Sequence, residues 1–372
     1  RITFAHPILT GYLAAKTYTN EHDLSCLDSQ PEWSLKKYAL MFMAANLELT
    51  NYISPILSMK NDPLRRDLLE LGRWLRNAPA NTRWRSALMR EFAAIIQNEE
   101  FPVGLRARAL TALVSSGDPG ITSLFKQLFS NRSENVRWLA VLGCGLASDP
   151  KFVNDLIQLT NDSSTKVGEA AILGLAAIGN RAALDTLTNI LLEGSEELRR
   201  ASAQAFAYLP DEGHSILKEG STVDDLLVRR AVVYGLAKVD EPWADEILEK
   251  MQVEDGQWIV RSAATQALEE KNRVEVHIPA KLPKLTETPW LIEFAAKRGV
   301  GVLPGKPAAN LLVQALKSED IYEQVAAVGF LSRMPEINAV SDLYELMKNS
   351  YGEIREEAYN ALWQLTSTVS RN

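Results

Sequence analysis

Asn135-Val136-Arg137-Trp138-Leu139-Ala140-Val141-Leu142-Gly143 is one copy of a pattern that recurs along most of this 372-residue chain. The apolar residue opening each copy stands at Leu105, Val136, Val167, Leu198, Val228, Val260, Leu291, Tyr322 and Ile354, so each step is 30 to 32 residues. A period that steady marks one supersecondary unit stacked many times. A chain this long would otherwise be expected to split into two or three globular domains.

Most copies place a small or apolar residue four positions after the anchor and a small one seven after it; the copy opened by Leu291 departs, with Arg298 at the second place. Ala109, Ala140, Ala171, Ser202, Ala264 and Ala358 hold the first place, and Gly143, Gly174, Gly235 and Gly329 hold the second. Offsets of zero, four and seven share one face of an α-helix. Glycine costs about 1 kcal/mol of helix propensity relative to alanine, so glycines kept at one phase predict close helix packing. Arginine follows the anchor directly in most copies, and an acid or amide precedes it by five. The expected result is a structural ladder through Arg106, Arg137, Asp162, Arg199, Arg229, Asp255, Arg261 and Arg355. In it the acid caps the second helix and the arginine bonds loop carbonyls or the neighbouring copy's acid. A ligand-facing role for the same residues is the alternative.

A second amphipathic run precedes each acid, and turns such as Gly117-Asp118-Pro119, Ser148-Asp149-Pro150 and Gly179-Asn180 separate the copies. The unit reads helix, loop with acid, helix with arginine, turn. On these residues it resembles the HEAT repeat in its short bacterial form. The expected fold is all-α: a right-handed α-α superhelix, a HEAT-like solenoid, with a non-repetitive helical N-terminal adaptor. The expected divisions are 1–20, the tail of a winged-helix-like segment; 21–100, the adaptor; 101–273, regular repeats; 274–310, a modified repeat with extended and glycine-rich loops; and 311–372, C-terminal repeats.

Hydrophobic content of 46% and charged content of 23% are those of an ordinary folded protein. The net charge of -7 argues against a nucleic-acid or anionic-membrane partner. Cys26 and Cys144 alone cannot build a disulfide framework or a metal cluster, which suits a cytoplasmic setting. No run of 18 apolar residues occurs. In the adaptor, Arg65, Arg66, Arg73, Arg76, Arg83, Arg85 and Arg90 form either a basic strip or the solvated faces of helices.

The first residues carry a second resemblance. Phe4, His6, Pro7, Tyr12, Leu13, Ala14 and Ala15 are similar to the segment that closes the NTPase module of NACHT-type STAND ATPases, a Phe-x-His followed by a Tyr-Leu-Ala-Ala helix. Thr10-Gly11 departs from that family's usual Gln-Glu. The match spans about 15 residues. The resemblance implies that His6 contacts the phosphates of bound ADP in the switched-off state. It also implies that the nucleotide, ADP or ATP, belongs to a module outside this sequence, since Gly-x-x-x-x-Gly-Lys-Ser/Thr does not occur here. The chain is accordingly expected to be part of something longer. The other expectation for His6 is packing or capping.

After Arg273 the pattern is interrupted. Val274 to Leu285 alternates and contains two prolines, which predicts extended backbone outside any sheet. Pro289-Trp290-Leu291 then returns in phase, followed by the glycine-rich Gly299 to Pro307. That stretch lacks the Ser/Thr and the preceding strand of a phosphate-binding loop. It reads as a protruding loop, with His277, Trp290 and Lys306 as the candidates to touch a partner.

Four scattered histidines and the absence of His-Glu-x-x-His, Cys-x-x-Cys or Gly-x-Ser-x-Gly give no catalytic or metal-binding constellation. The reading is a non-enzymatic sensor and regulatory repeat region of a NACHT-type signalling NTPase. In bacteria the resemblance connects such proteins with defence against phage. The expected partner is a protein or the intramolecular NTPase module. The rivals are a free-standing protein-interaction scaffold, a DNA-gripping HEAT fold and a phycobilin-lyase-like fold.

Overall fold

The computed structural model describes residues 6–21, 24, 27, 29–31, 35–59, 62–272, 282–335 and 337–369, and among them all regular structure is helical. The chain is an all-α solenoid assembled from helical hairpins. It divides into two compact units. The first comprises residues 1–49, 71–96 and 110–275; the second comprises 50–70, 97–109 and 276–372.

In the first unit, α1 (Pro7–Glu21) pairs with α2 (Lys36–Met43). The pair is close because position 11 is glycine: a Cβ there would lie 2.4 Å from that of Tyr38. Tyr12 sets its ring edge-on to Phe42 at 5.4 Å. The repeats follow as hairpins, α7 (Gly120–Leu128) with α8 (Glu134–Ala147), α9 (Val153–Leu159) with α10 (Thr165–Ile178), and α11 (Arg181–Glu193) with α12 (Glu196–Phe206). α13 (Glu212–Gly220) then pairs with α14 (Leu226–Leu236), and α15 (Pro242–Glu254) with α16 (Trp258–Asn272). Second helices pack on second helices, α8 on α10 on α12 on α14 on α16.

Local chemistry sets the ends of these helices. Ser133 caps α8 by accepting from Val136 N–H at 3.3 Å, Asn180 caps α11 through Ala183 at 3.0 Å, and Asp225 caps α14 through Leu227 at 2.7 Å. Gly179 closes α10 at φ 61°, in the left-handed region that glycine enters without penalty. The anchors Val136, Val167, Val228 and Val260 are buried in the core. The glycines set helix spacing both within and between copies. A Cβ on Gly235 would meet the carbonyl of Ala203 on α12 at 2.5 Å, and one on Gly143 would meet the Phe125 ring at 2.5 Å.

The second unit holds α3 (Thr50–Ser58), α17 (Pro289–Ala296), α18 (Lys306–Ala315), α19 (Ile321–Leu331), α20 (Val340–Asn349) and α21 (Gly352–Val369). It also holds residues 66–70 of α4 (Arg66–Leu75) and 103–109 of α6 (Val103–Ser115). The register slips here. Tyr322, expected as an anchor, is 85% exposed, and the core-facing residues of α19 are Glu323, Ala327, Val328 and Leu331. The anchor place is one later and is taken by a carboxylate. Gly329 consequently faces open space, and close packing does not explain it.

The second unit also contains a contact that no neighbour rule of a repeat array requires. Glu356 of α21 accepts hydrogen bonds from Val103 N–H at 2.8 Å and Gly104 N–H at 3.2 Å, the first amides of α6. Glu356 thereby caps the start of α6. Arg355 donates to the Glu100 carbonyl at 3.0 Å.

Candidate interaction surfaces

The rungs between adjacent repeats are built on loop acids. Asp162 accepts from Ser164 N–H at 2.8 Å, which turns the chain into α10, and takes both Nε and Nη2 of Arg137, at 2.9 and 2.8 Å, from the preceding copy. Arg137 also donates through Nη1 to its own loop carbonyls, Asn131 and Arg132. Arg229 repeats the geometry on Asp255, at 2.7 and 3.1 Å, with Nη1 on the carbonyls of Val223 and Asp224. The hydrogen bond from its arginine holds each aspartate below the usual carboxylate range. A planar fork that satisfies a carboxylate and two carbonyls at once is specific to arginine.

The remaining ladder residues are used differently. Arg199 bonds the carbonyls of Gly194 and Leu191 and lies 3.6 Å from Asp225, the N-cap of the next second helix. Arg261 bonds the Asp255 carbonyl at 2.6 Å. Arg106 is buried in the second unit with its guanidinium depressed by desolvation, and Glu99 and Glu356 act against that shift. Arg355 reaches the carbonyls of Glu100 and Glu99.

Further bridges lie outside the arginine-after-anchor pattern. Among them, Arg85 meets Asp118, Lys271 meets Asp245 and the Val239 carbonyl, and Lys297 of α17 meets Glu323 of α19 at 3.0 Å. The last reverses the polarity, with the acid at the anchor and the cation one copy earlier. Of the adaptor arginines, Arg65 bonds the Met59 carbonyl, Arg66 the Trp363 carbonyl and Arg85 the carbonyls of Leu75 and Ala78, so these serve the fold.

His6 is exposed and caps α1: its Nδ1 accepts from Ile8 N–H at 3.3 Å. An accepting Nδ1 leaves the ring proton of a neutral imidazole on Nε2, which is then a donor. His277 lies outside the described residues. Trp290 is half-buried, edge-on to Phe330 at 5.8 Å, with its indole N–H unpartnered among the described residues. Lys306 is exposed at the start of α18 and borders a cavity of about 470 Å³ lined by Leu285, Pro304, Ala308, Met334 and Ile337. The structure thus gives Trp290 an inward-packed ring and leaves Lys306 in solvent.

Two apolar surfaces that the sequence did not single out are solvent-facing. One is on α1, where Ile8, Leu9, Tyr12 and Leu13 are 39% to 50% exposed. The other comprises Ile321, Tyr322 and Tyr351 at the starts of second helices in the second unit, with Tyr322 and Tyr351 84% to 85% exposed. The signal for the first was the width of the apolar run, more than one helix face needs. Cys144 is buried and its thiol is pushed far up by desolvation, so it is no nucleophile. Among the described residues no group of His, Cys, Asp and Glu could hold a metal ion, and no helix is long and apolar enough to cross a membrane.

Residues 121–207, from α7 to the end of α12, match the family model of HEAT repeats. No curated protein matches the chain. Solved structures with a resembling course include an engineered protein, at 16% identity over 98% of this chain and 97% of that one, with a TM-score of 0.28. The CpcE–CpcF complex of phycocyanin lyase from Nostoc sp. PCC7120 is 17% identical over 65% of this chain and 94% of that one, with a TM-score of 0.28. Human deoxyhypusine hydroxylase is 17% identical over 71% and 97%, with a TM-score of 0.25. Similarity at this level carries no functional argument. The rungs of Arg137 with Asp162 and the glycine-spaced α8 and α10 fall inside the span that matches HEAT repeats.

Proposed function

We propose that this HEAT-type scaffold is the sensor and regulatory region of a NACHT-type NTPase, holding the NTPase module through α1. The observation that carries the reading is the outward apolar face of α1. Ile8, Leu9, Tyr12 and Leu13 are exposed on the helix whose sequence is similar to the end of such a module. A contiguous apolar face left in water is an interaction site by default. Gly11 brings α1 close against α2, and Tyr12 at the edge of the exposed face sets its ring on Phe42, so the face is anchored to α2. His6 fits the same reading, since its Nε2–H is free to donate to a phosphate oxygen while Nδ1 caps α1.

The reading frame upstream of the codon for Arg1 tests this first. It is expected to encode a Gly-x-x-x-x-Gly-Lys-Ser/Thr segment; further repeats in its place would overturn the proposal and leave a free-standing scaffold. With the module present, Leu9→Glu combined with Leu13→Glu is expected to accelerate ADP release. An unchanged release rate would remove α1 as the restraining contact.

A further inference from the structure

We propose that the start of α6 is a helix-binding site, and that α21 is its internal, exchangeable occupant. α21 offers three residues at helical spacing i, i+3 and i+7: Glu356, Tyr359 and Trp363. Each has a matched receptor. Glu356 takes the Val103 and Gly104 amides at 2.8 and 3.2 Å, the first N–H groups of α6, which precede those of Leu105 and Arg106 on the Pro102 carbonyl, and the helix dipole favours an anion there. Tyr359 lies flat against Gly104, where a Cβ would come within 2.8 Å of its ring. The Arg108 guanidinium stands 5.2 Å from the Tyr359 ring centre and 4.3 Å from that of Trp363, and Arg66 covers Trp363 at 4.5 Å. Arg66 also donates to the Trp363 carbonyl.

Two features make this contact separable from the rest of the fold. The partners are 252 and 253 residues apart, whereas a repeat array is stabilised by contacts between neighbours. α21 also packs on α19 and α20, contacts that do not involve α6. The contact is also electrostatically demanding. Desolvation lowers the pKa of both Arg66 and Arg106, against Asp62 and Tyr359 at the first and Glu99 and Glu356 at the second, so α21 supplies part of the negative charge that offsets this buried positive charge. A face built from two amides, arginines and a glycine notch selects a helix bearing one carboxylate followed by two aromatic rings. A partner helix of that chemistry would compete with α21. The inference stands whether or not an NTPase module is attached, because its test involves no nucleotide.

The test uses the full chain and a fluorescent peptide of residues 352–369. Glu356→Lys with Trp363→Ala is expected to speed amide hydrogen exchange in α21 by at least about tenfold while α8 and α10 stay protected. That double variant is expected to bind the wild-type peptide, and binding is expected to vanish when Arg108→Ala is added. Two results would overturn the proposal. One is exchange of α21 only together with α8 and α10, which would make the contact part of the global core. The other is peptide binding that fails in the double variant or persists without Arg108.

Discussion

The copies from α8 to α16 and the copies from α17 to α21 solve the same packing problem by different means. In the first set Arg137, Arg199 and Arg229, each directly after its anchor, reach Asp162, Asp225 and Asp255 of the next copy, and Gly143 and Gly235, seven places after theirs, admit close helix neighbours. In the second set the cation is Lys297, the acid is Glu323 at the anchor itself, and Gly329 touches nothing. Common to both is the use of ion pairs to bridge one copy to the next. Their polarity and position are negotiable, and only the buried apolar face is not. The most direct way to break this comparison is to fill the glycine notch. Gly143→Leu and Gly235→Leu are each expected to cost about 3 kcal/mol in urea unfolding, because Phe125 and the Ala203 backbone occupy the space. Gly329→Leu is expected to stay within about 0.5 kcal/mol. Equal losses at all three positions would mean that the helix phase of the first set is also misplaced.

The arginine rungs give the next largest effect. Arg137→Ala or Arg229→Ala is expected to cost about 2 kcal/mol, since each leaves a mostly buried aspartate and loop carbonyls without their donor. Lys297→Ala is expected to shift the unfolding midpoint less, because its side chain is half in solvent and an exposed pair contributes little. Arg132→Ala, which removes an exposed side chain and keeps the carbonyl that Arg137 uses, is expected to change nothing measurable. A Lys297 variant as damaging as Arg229→Ala would erase the distinction between the two kinds of rung.

These pairs are legible in the sequence because both members keep a fixed offset from an anchor, and a period of about 31 residues brings the offsets together in space. The slipped register of α19 is not legible in that way. Hydropathy prefers Tyr322 to Glu323 for a core place, and only the structure shows that Ser318 and Lys297 satisfy the carboxylate. The seating of α21 on α6 is invisible for a different reason, since no local signal links residues 250 positions apart. His6 lies between these cases: its position before Pro7 marks a helix start, but which ring nitrogen does the capping is a matter of geometry.

The pH dependence sharpens the comparison further. Asp162 and Asp255 have folded pKa values below their unfolded ones, chiefly through the hydrogen bond from arginine. Their contribution is therefore complete above the unfolded aspartate value of about 3.9 and is lost as pH falls through the lower folded value. The deficit of Asp162→Asn relative to the unsubstituted chain is expected to be constant from pH 7 to about 5 and to shrink below about 4. A deficit that persists undiminished to the acid unfolding limit would assign Asp162 a purely steric role in turning the loop.

The smallest expected effect is the sharpest test of register. If α19 presents Glu323, Ala327 and Leu331 to the core, Tyr322 has no packing to lose and Tyr322→Ala should leave the unfolding midpoint within about 0.5 kcal/mol. If instead the anchor spacing of the regular copies governed this helix, the same truncation would empty a core site and cost about 3 kcal/mol or more. The two outcomes differ several-fold, well beyond the error of a denaturation midpoint, so one variant decides which residue the repeat counts from. An unchanged midpoint also leaves the exposed ring to be explained by contact with something other than this chain. Its neighbours in exposure, Ile321 and Tyr351, then become the next residues to truncate in a binding assay.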